Sequence, residues 1–174
     1  DPSLMCFVFG DQQSAVPIIE RLVGMEHNDY AGRRVLCACS GGRVVGVIAG
    51  LTGAEREASK KSAGAEWGQA LGIRGMFRAL RWGPKLERVA TREVAADEYY
   101  VAALAVDESV RGQGIGSRLL GEVFRDHAVV VTDVNITKVD AIRFYERHGF
   151  VLGQKMTFTH KDGELGNYQI RRER

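Results

Sequence analysis

Hydrophobic and polar positions change their period several times along the chain, and each change marks an element. From 14 to 25 the apolar residues recur at helical spacing, with Ile18, Leu22 and Met25 on one face, Ser14 placed to cap the helix and Pro17 in its tolerant first turn. "RVLCACS" and "RVVGVIAGL" follow as two β-rich runs joined by Gly41 and Gly42, the pair that a two-residue hairpin turn requires. From Thr52 to Asp97 the sequence turns charged, alanine-rich and punctuated by glycine, and within it "IRGMFRALRW" has the period of a short amphipathic helix that Pro84 stops. "YYVAALAV", Tyr99 to Val106, predicts a buried strand. A glycine loop comes next, then a helix to about His127, the strand "AVVVTDV" and a helix from Asp140 to His148 closed by Gly149. A hairpin of "FVLGQKMTFTH" and "NYQIRR" about the turn "KDGE" ends the pattern. Strand, loop, helix and strand in that order predict an α/β protein whose central strands run parallel.

The pattern occupies 174 residues, 45% of them hydrophobic, which suits one domain with a real core and excludes a disordered or collagen-like chain. No apolar run approaches the ~20 residues of a membrane span. "LMCFVF" is too short, and lacks the basic flank, for a signal peptide, so the expectation is a soluble, cytoplasmic protein. Cys6, Cys37 and Cys39 form no even disulfide framework and are expected as free thiols. His27, His127, His148 and His160 lack ligand spacing with them, so no metal is assigned. A formal charge of +2 does not call for nucleic acid. The positive charge is nevertheless unevenly placed: Arg74, Arg78, Arg81, Lys85 and Arg88 recur every three or four residues beside Ile73, Met76, Phe77 and Leu80. Such a stripe is usually a solvated face, and it is also compatible with a membrane surface, nucleic acid or an acidic peptide.

"VRGQGIGSRLL" packs Gly112, Gly114 and Gly116 into five residues and then opens a helix. Bare backbone lets consecutive N–H groups point into one concavity, and the helix behind adds its positive end, so a phosphate fits without side-chain charge. A plain turn is the alternative. The loop is not the lysine-bearing phosphate loop, because Ser117 and Arg118 stand where a Gly-Lys-Ser/Thr ending is needed, and it is not G-x-G-x-x-G. Its spacing is Arg-x-x-Gly-x-Gly.

"LAVDESVRGQGIGSRLL" and the later "DVNITKVDAIRFYERHGF" resemble the GNAT superfamily of acyl-CoA-dependent N-acyltransferases. The resemblance spans roughly Val35 to Arg172 and leaves a helical insertion at about 52–97 of a single domain, 1–174. It implies an α/β fold, with a central mixed, mostly antiparallel sheet containing a splayed parallel strand pair and flanked by helices, and it implies acetyl-CoA as cosubstrate. The loop would wrap the pyrophosphate of coenzyme A at Arg111, Gly114 and Gly116, with further amides from Gly112, Gln113, Ile115 and Ser117. The strand before it would hydrogen-bond the pantetheine arm through Leu104, Ala105 and Val106. The second motif matches at Ala141, Phe144, Tyr145, Gly149 and Phe150, which makes Tyr145 the implied acid for the departing thiolate. Lys138 stands where many members carry an asparagine that contacts the cofactor arm, and is a candidate contact for a coenzyme phosphate; the nearest asparagine is Asn135. The family's fold normally opens with a strand and a helix ahead of a segment such as "FVFGDQQSAVPIIERL", and this sequence starts just before it; if those elements are missing, the sheet is expected to have one fewer edge strand.

Acyl transfer to an amine needs a neutral amine, a polarised carbonyl and a proton for the leaving sulfur. A backbone amide near Leu104 or Ala105 can hold the developing oxyanion. Tyr145, a phenol with an ordinary pKa of ~10, stays protonated at neutral pH, and its bland alternative is a packed core aromatic. Glu98 shares a strand side with Tyr100 and is the candidate base, through a water, with a solvated strand-end carboxylate as the other reading. His148 near a helix end is read as a charge matched to the helix dipole. The function expected is an N-acetyltransferase acting on a primary amine of a small molecule or peptide, with the insertion as a lid over the acceptor site. A non-catalytic acyl-CoA-binding regulatory module is the alternative. Nucleic-acid binding ranks below both, since nothing base-reading accompanies the basic stripe. The oligomeric state is open, a homodimer among the options.

Overall fold

Gly41 and Gly42 both take positive φ, 56° and 76°, and fold β1 (Val35–Ser40) back on β2 (Arg43–Thr52) as an antiparallel hairpin. The computed structural model describes Leu4 and residues 6–90, 93–160 and 163–174. The other strands are β3 (Tyr99–Val106), β4 (Val129–Asn135), β5 (Val151–His160) and β6 (Gly163–Glu173). They form one sheet in the order β1-β2-β3-β4-β6-β5. Among the described residues no strand precedes β1, and the "KDGE" turn falls partly on 161–162, outside them.

Parallel pairing, expected for the central strands in general, is confined to β3 and β4, and every other neighbouring pair is antiparallel. The parallel ladder has three pairs, Tyr99 with Val130, Tyr100 with Val131 and Val101 with Thr132. Beyond them β3 leaves β4. A bulge in the β2–β3 register falls at this level, between Ala49 and Gly50, opposite Ala102. Bulges sharpen local twist, which turns β3 out of line with β4.

α4 (Ile115–Asp126) and α5 (Val139–Arg147) cover one face, packing Ile115, Leu119, Leu120, Val123 and Tyr145 on Ile48, Val101, Val130, Val134 and Ile170. The other face carries α1 (Cys6–Phe9), α2 (Gln12–Val23) and α3 (Gly53–Leu86), with Phe9, Ile18, Leu22 and Ala70 forming a second cluster and Leu4, Val89 and Leu165 a third.

One local expectation is corrected. α2 is capped by Asp11 rather than Ser14: the Asp11 carboxylate accepts the Ser14 N–H at 2.7 Å, and the helix ends at Val23, before Met25. A carboxylate three residues earlier competes better for the free N–H groups than the hydroxyl does. The charged segment, α3, is two helical halves joined at Gly72, whose backbone is not helical (φ 62°, ψ −176°), and the second half, from Ile73 to Leu86, is the short helix expected there, ending two residues past Pro84. A capping box of Thr52 and Glu55 starts the first half, with the Glu55 N–H 3.2 Å from Thr52 Oγ1 and the Thr52 N–H 2.9 Å from Glu55 Oε2. Pro84 lies in the last turn, where its missing N–H leaves few helical bonds unmade, and the Glu87 N–H still reaches the Gly83 carbonyl at 2.8 Å.

The two halves of α3 make opposite demands on their glycines. Gly64 is exposed inside the first half with open space where a Cβ would stand, whereas Gly72 holds the positive φ of the bend. Gly64→Ala is therefore expected to raise stability by about 0.5–1 kcal/mol and Gly72→Ala to lower it by about 1–3 kcal/mol, read from urea unfolding midpoints.

Candidate active site

Past Val101 the edge of β3 that faced β4 has no strand partner. The Asp107 N–H bonds the Val45 carbonyl at 3.0 Å, so by alternation Ala105 also points its backbone at β2, while Leu104 and Val106 turn theirs into the gap. Asp107 then caps a 3₁₀ turn, accepting from the Ser109 N–H at 2.9 Å and the Ser109 hydroxyl at 2.6 Å. Arg111 braces the loop that follows: its Nε donates to the Val106 carbonyl at 3.2 Å and its Nη1 to Glu108 at 2.9 Å.

The three glycines of the loop have two different reasons. Gly112 and Gly114 take φ of 79° and 75°, Gly114 as the N-cap of α4, and a Cβ on Gly112 would meet nothing within 4 Å. Both expose backbone at the mouth of a helix. Gly116 lies inside α4 without a positive φ, and a Cβ there would stand 3.2 Å from the Phe144 ring. It lets α4 and α5 approach closely.

These elements enclose a cleft of about 1070 Å³. Of the residues singled out from the sequence, Leu104, Val106, Arg111, Gly112, Gly114, Ile115, Gly116, Ser117, Lys138 and Tyr145 line it, and Ala105, Gln113 and Glu98 do not. Gln113 instead offers its carbonyl to Arg118 Nη1 at 3.2 Å. Lys138 is the N-cap of α5, and Asn135 is spent on the turn before it, accepting from the Thr137 N–H at 2.9 Å. Arg111, Lys138 and Arg147 against Asp140 make the mouth cationic. Exposed loop amides, a helix N-terminus and this charge fit a diphosphate, and the long cleft behind them fits an extended arm.

Tyr145 is buried at the inner end, its ring edge-on to Phe144 (centroids 5.4 Å apart) and Phe150 (5.1 Å). Thr132 is the polar side chain beside its phenol, and the Thr132 hydroxyl donates to the Val101 carbonyl at 2.8 Å. Val101 and Thr132 are the last paired residues of the parallel ladder, so Tyr145 lies where the strands part. Burial pushes the phenol up to about 12, with Thr132 working the other way.

Glu98 lies at the opposite end of β3, buried, with its carboxylate accepting the Ala95 N–H at 2.9 Å and paired with the Arg171 guanidinium. Tyr100 faces the far side of the sheet and donates to Asp133 Oδ2 at 3.0 Å, with the Arg56 guanidinium 4.7 Å over its ring.

Two site residues escaped the sequence. His148 does more than sit at a helix end: Nδ1 is 2.7 Å from the Phe144 carbonyl and Nε2 is 2.9 Å from Ser117 Oγ, which ties α5 to the first turn of α4. With Nδ1 donating to the carbonyl, Nε2 of the neutral ring accepts the Ser117 proton. Its i+4 spacing from Phe144 was visible, but the Ser117 partner was not. The signal for Thr132 was a hydroxyl in phase with the inward Val130 and Val134 in a run of valines.

A parallel pair that splays beside a glycine loop at a helix N-terminus is an α/β fold with a diphosphate-sized site, and the comparisons with known proteins supply its family. The profile of the Acetyltransferase (GNAT) domain matches residues 31–152, and the chain belongs to the GNAT acetyltransferase family. An N-acetyltransferase from Staphylococcus aureus Mu50 superposes with a TM-score of 0.65 at 18% identity, over 92% of this chain and 81% of that one. A second acetyltransferase superposes at 0.59 and 20% identity, over 97% and 84%. An acetyltransferase of Bacillus anthracis in complex with acetyl coenzyme A superposes at 0.50 and 15% identity, over 80% and 61%. At these identities the likeness is one of fold. No curated protein matches the sequence.

The phenol's environment fixes a pH dependence. Its folded pKa of about 12 lies above the ordinary ~10 of an unfolded tyrosine, so the stability linked to its neutral form is whole below pH ~10 and is lost as pH rises through about 12. Urea unfolding on the two sides of that window is expected to show a smaller alkaline loss for Tyr145→Phe than for the parent.

Proposed function

We propose that the protein transfers an acetyl group from acetyl-CoA to a primary amine of a small molecule or peptide. The observation that carries this is the protonated Tyr145 phenol beside Thr132 where β3 and β4 part, at the inner end of a cleft whose mouth is lined by loop glycines.

Acetyl-CoA supplies an acetyl thioester, and the net reaction forms a C–N bond, breaks a C–S bond and moves one proton from amine to thiol. The amides of Gly112 and of Gly114 to Ser117, with the N-terminus of α4, hold the diphosphate, and Arg111, Lys138 and Arg147 add positive charge at its edge. Leu104 and Val106 hold the arm through the backbone they turn into the gap; the Leu104 N–H is then the amide aimed at the carbonyl oxygen, and Ala105 is spent on β2. Tyr145 donates its phenolic proton to the sulfur, and Thr132 orients it. Glu98 is engaged by Arg171 away from the cleft, so the amine gives its proton to solvent. The acceptor enters from the far face, where Asp133 is the first β4 residue beyond the paired stretch and presents a carboxylate beside Tyr100.

The test is release of free thiol from acetyl-CoA across a panel of primary amines; tight binding without release would identify a regulatory module instead. Tyr145→Phe keeps the packing ring and is expected to lower kcat by about 10- to 100-fold with cofactor affinity unchanged, at the low end of acid catalysis because a thiolate leaves readily. No alkaline limb belonging to Tyr145 should appear below pH ~11, given a phenol pKa of about 12.

Cofactor binding has a readout of its own. At ~100 times its dissociation constant, acetyl-CoA should stabilise the parent by about 2.7 kcal/mol. Gly114→Val, which puts a branched side chain at a φ of 75°, should remove that gain. A variant that keeps the full ligand shift would take the phosphate site away from the loop.

A further inference from the structure

Beyond the bend at Gly72, α3 turns its apolar row outward. Ile73 is 80% exposed, Phe77 70% and Leu80 69%, with Met76 beside them, and together with Gly68 and Gly72 they border a shallow notch of about 460 Å³. At 100° per residue these side chains share one side of the helix, Arg74, Arg81 and Lys85 fill the adjoining flank, and the third side, with Gly75 and Trp82, packs inward. The flank is held in place: Arg81 and Lys85 lie over the Trp82 ring at 5.6 and 5.0 Å, and Arg78 donates to the Phe9 carbonyl at 3.1 Å. Glu87 is the one acid between 68 and 88.

We propose that this half of α3 lies on the surface of an anionic phospholipid bilayer, with Ile73, Phe77 and Leu80 in the acyl boundary and the adjoining arginines and lysine on lipid phosphates. The shape and the charge both select this occupant. A shallow, open notch bordered by protruding apolar side chains encloses little of a protein partner, whereas a bilayer conforms to it. A second copy docked antiparallel about Phe77 would set Arg74 of one chain beside Arg81 of the other, so like charges would oppose the contact. Phosphate headgroups complement the same flank over its whole length. Among the described residues no helix is long and apolar enough to cross a membrane, so the contact is one of lying on the surface. The proposal stands apart from the catalytic reading, since neither the row nor its flank touches the cleft.

Co-sedimentation with vesicles of phosphatidylglycerol and phosphatidylcholine, compared with phosphatidylcholine alone, tests it, with size-exclusion chromatography and light scattering alongside. Binding is expected for the anionic vesicles and should weaken as salt is raised. Ile73→Ser with Phe77→Ser should reduce it by more than ten-fold, and Arg74→Glu with Arg81→Glu should abolish it. All four positions are exposed, so melting temperature and the acetyl-CoA-induced shift are expected to be unchanged, which separates this outcome from misfolding and from failure of the acetyltransferase reading. Absence of vesicle binding, equal binding by the serine variant, or a parent dimer that the serine substitutions dissociate would each overturn the proposal, the last in favour of a second copy on the row.

Discussion

Three parallel residue pairs, ending at Val101 and Thr132, are what the rest of the site depends on. A sheet strand satisfies its backbone on both edges, and β3 does so only as far as this point. Its outer half keeps β2 on one side and opens the other, so a strand's worth of hydrogen-bonding backbone faces a cleft instead of a neighbour. The bulge opposite Ala102 turns β3 aside, and Thr132 closes the vertex by donating its hydroxyl back to the Val101 carbonyl. Thr132 also stands beside the Tyr145 phenol. Structure and chemistry meet there: the residue that ends the ladder neighbours a buried phenol on the cleft side.

The second constraint is the approach of α4 to α5. Without a side chain on Gly116 the Phe144 ring closes on α4, which brings Tyr145 over the vertex and lets His148 reach Ser117. The loop ahead of it needs bare backbone for a different purpose, to leave amides exposed at the start of a helix. One short glycine-rich stretch thus serves packing on its helix side and phosphate-sized space on its loop side. α3 is loosely coupled to all of this. It packs on the opposite face through α1, α2 and the β5–β6 hairpin, and past Gly72 it carries an apolar row that no part of the chain covers among the described residues.

The sequence by itself determined the elements and the cofactor end of the site. Gly41-Gly42 could only be a tight turn, the run Tyr99 to Val106 only a strand, and the Arg111 to Gly116 spacing with the Phe144-Tyr145 pair carried the family, because each depends on residues close together in the chain. It read Ser14 too simply: a cap is settled by which neighbouring acceptor reaches the free N–H groups. Only the tertiary structure decided what depends on distant partners. It gave Glu98 to Arg171, which period-two alternation cannot foresee, and it assigned Leu104 rather than Ala105 to the gap, because a bulge sets which backbone groups β2 consumes. It raised Tyr145 to about 12 by burying it, and it set beside the phenol Thr132, a residue thirteen positions away whose hydroxyl looked like one polar atom in a strand of valines. Local pattern fixes which way a side chain can point, and long-range packing decides what it meets there.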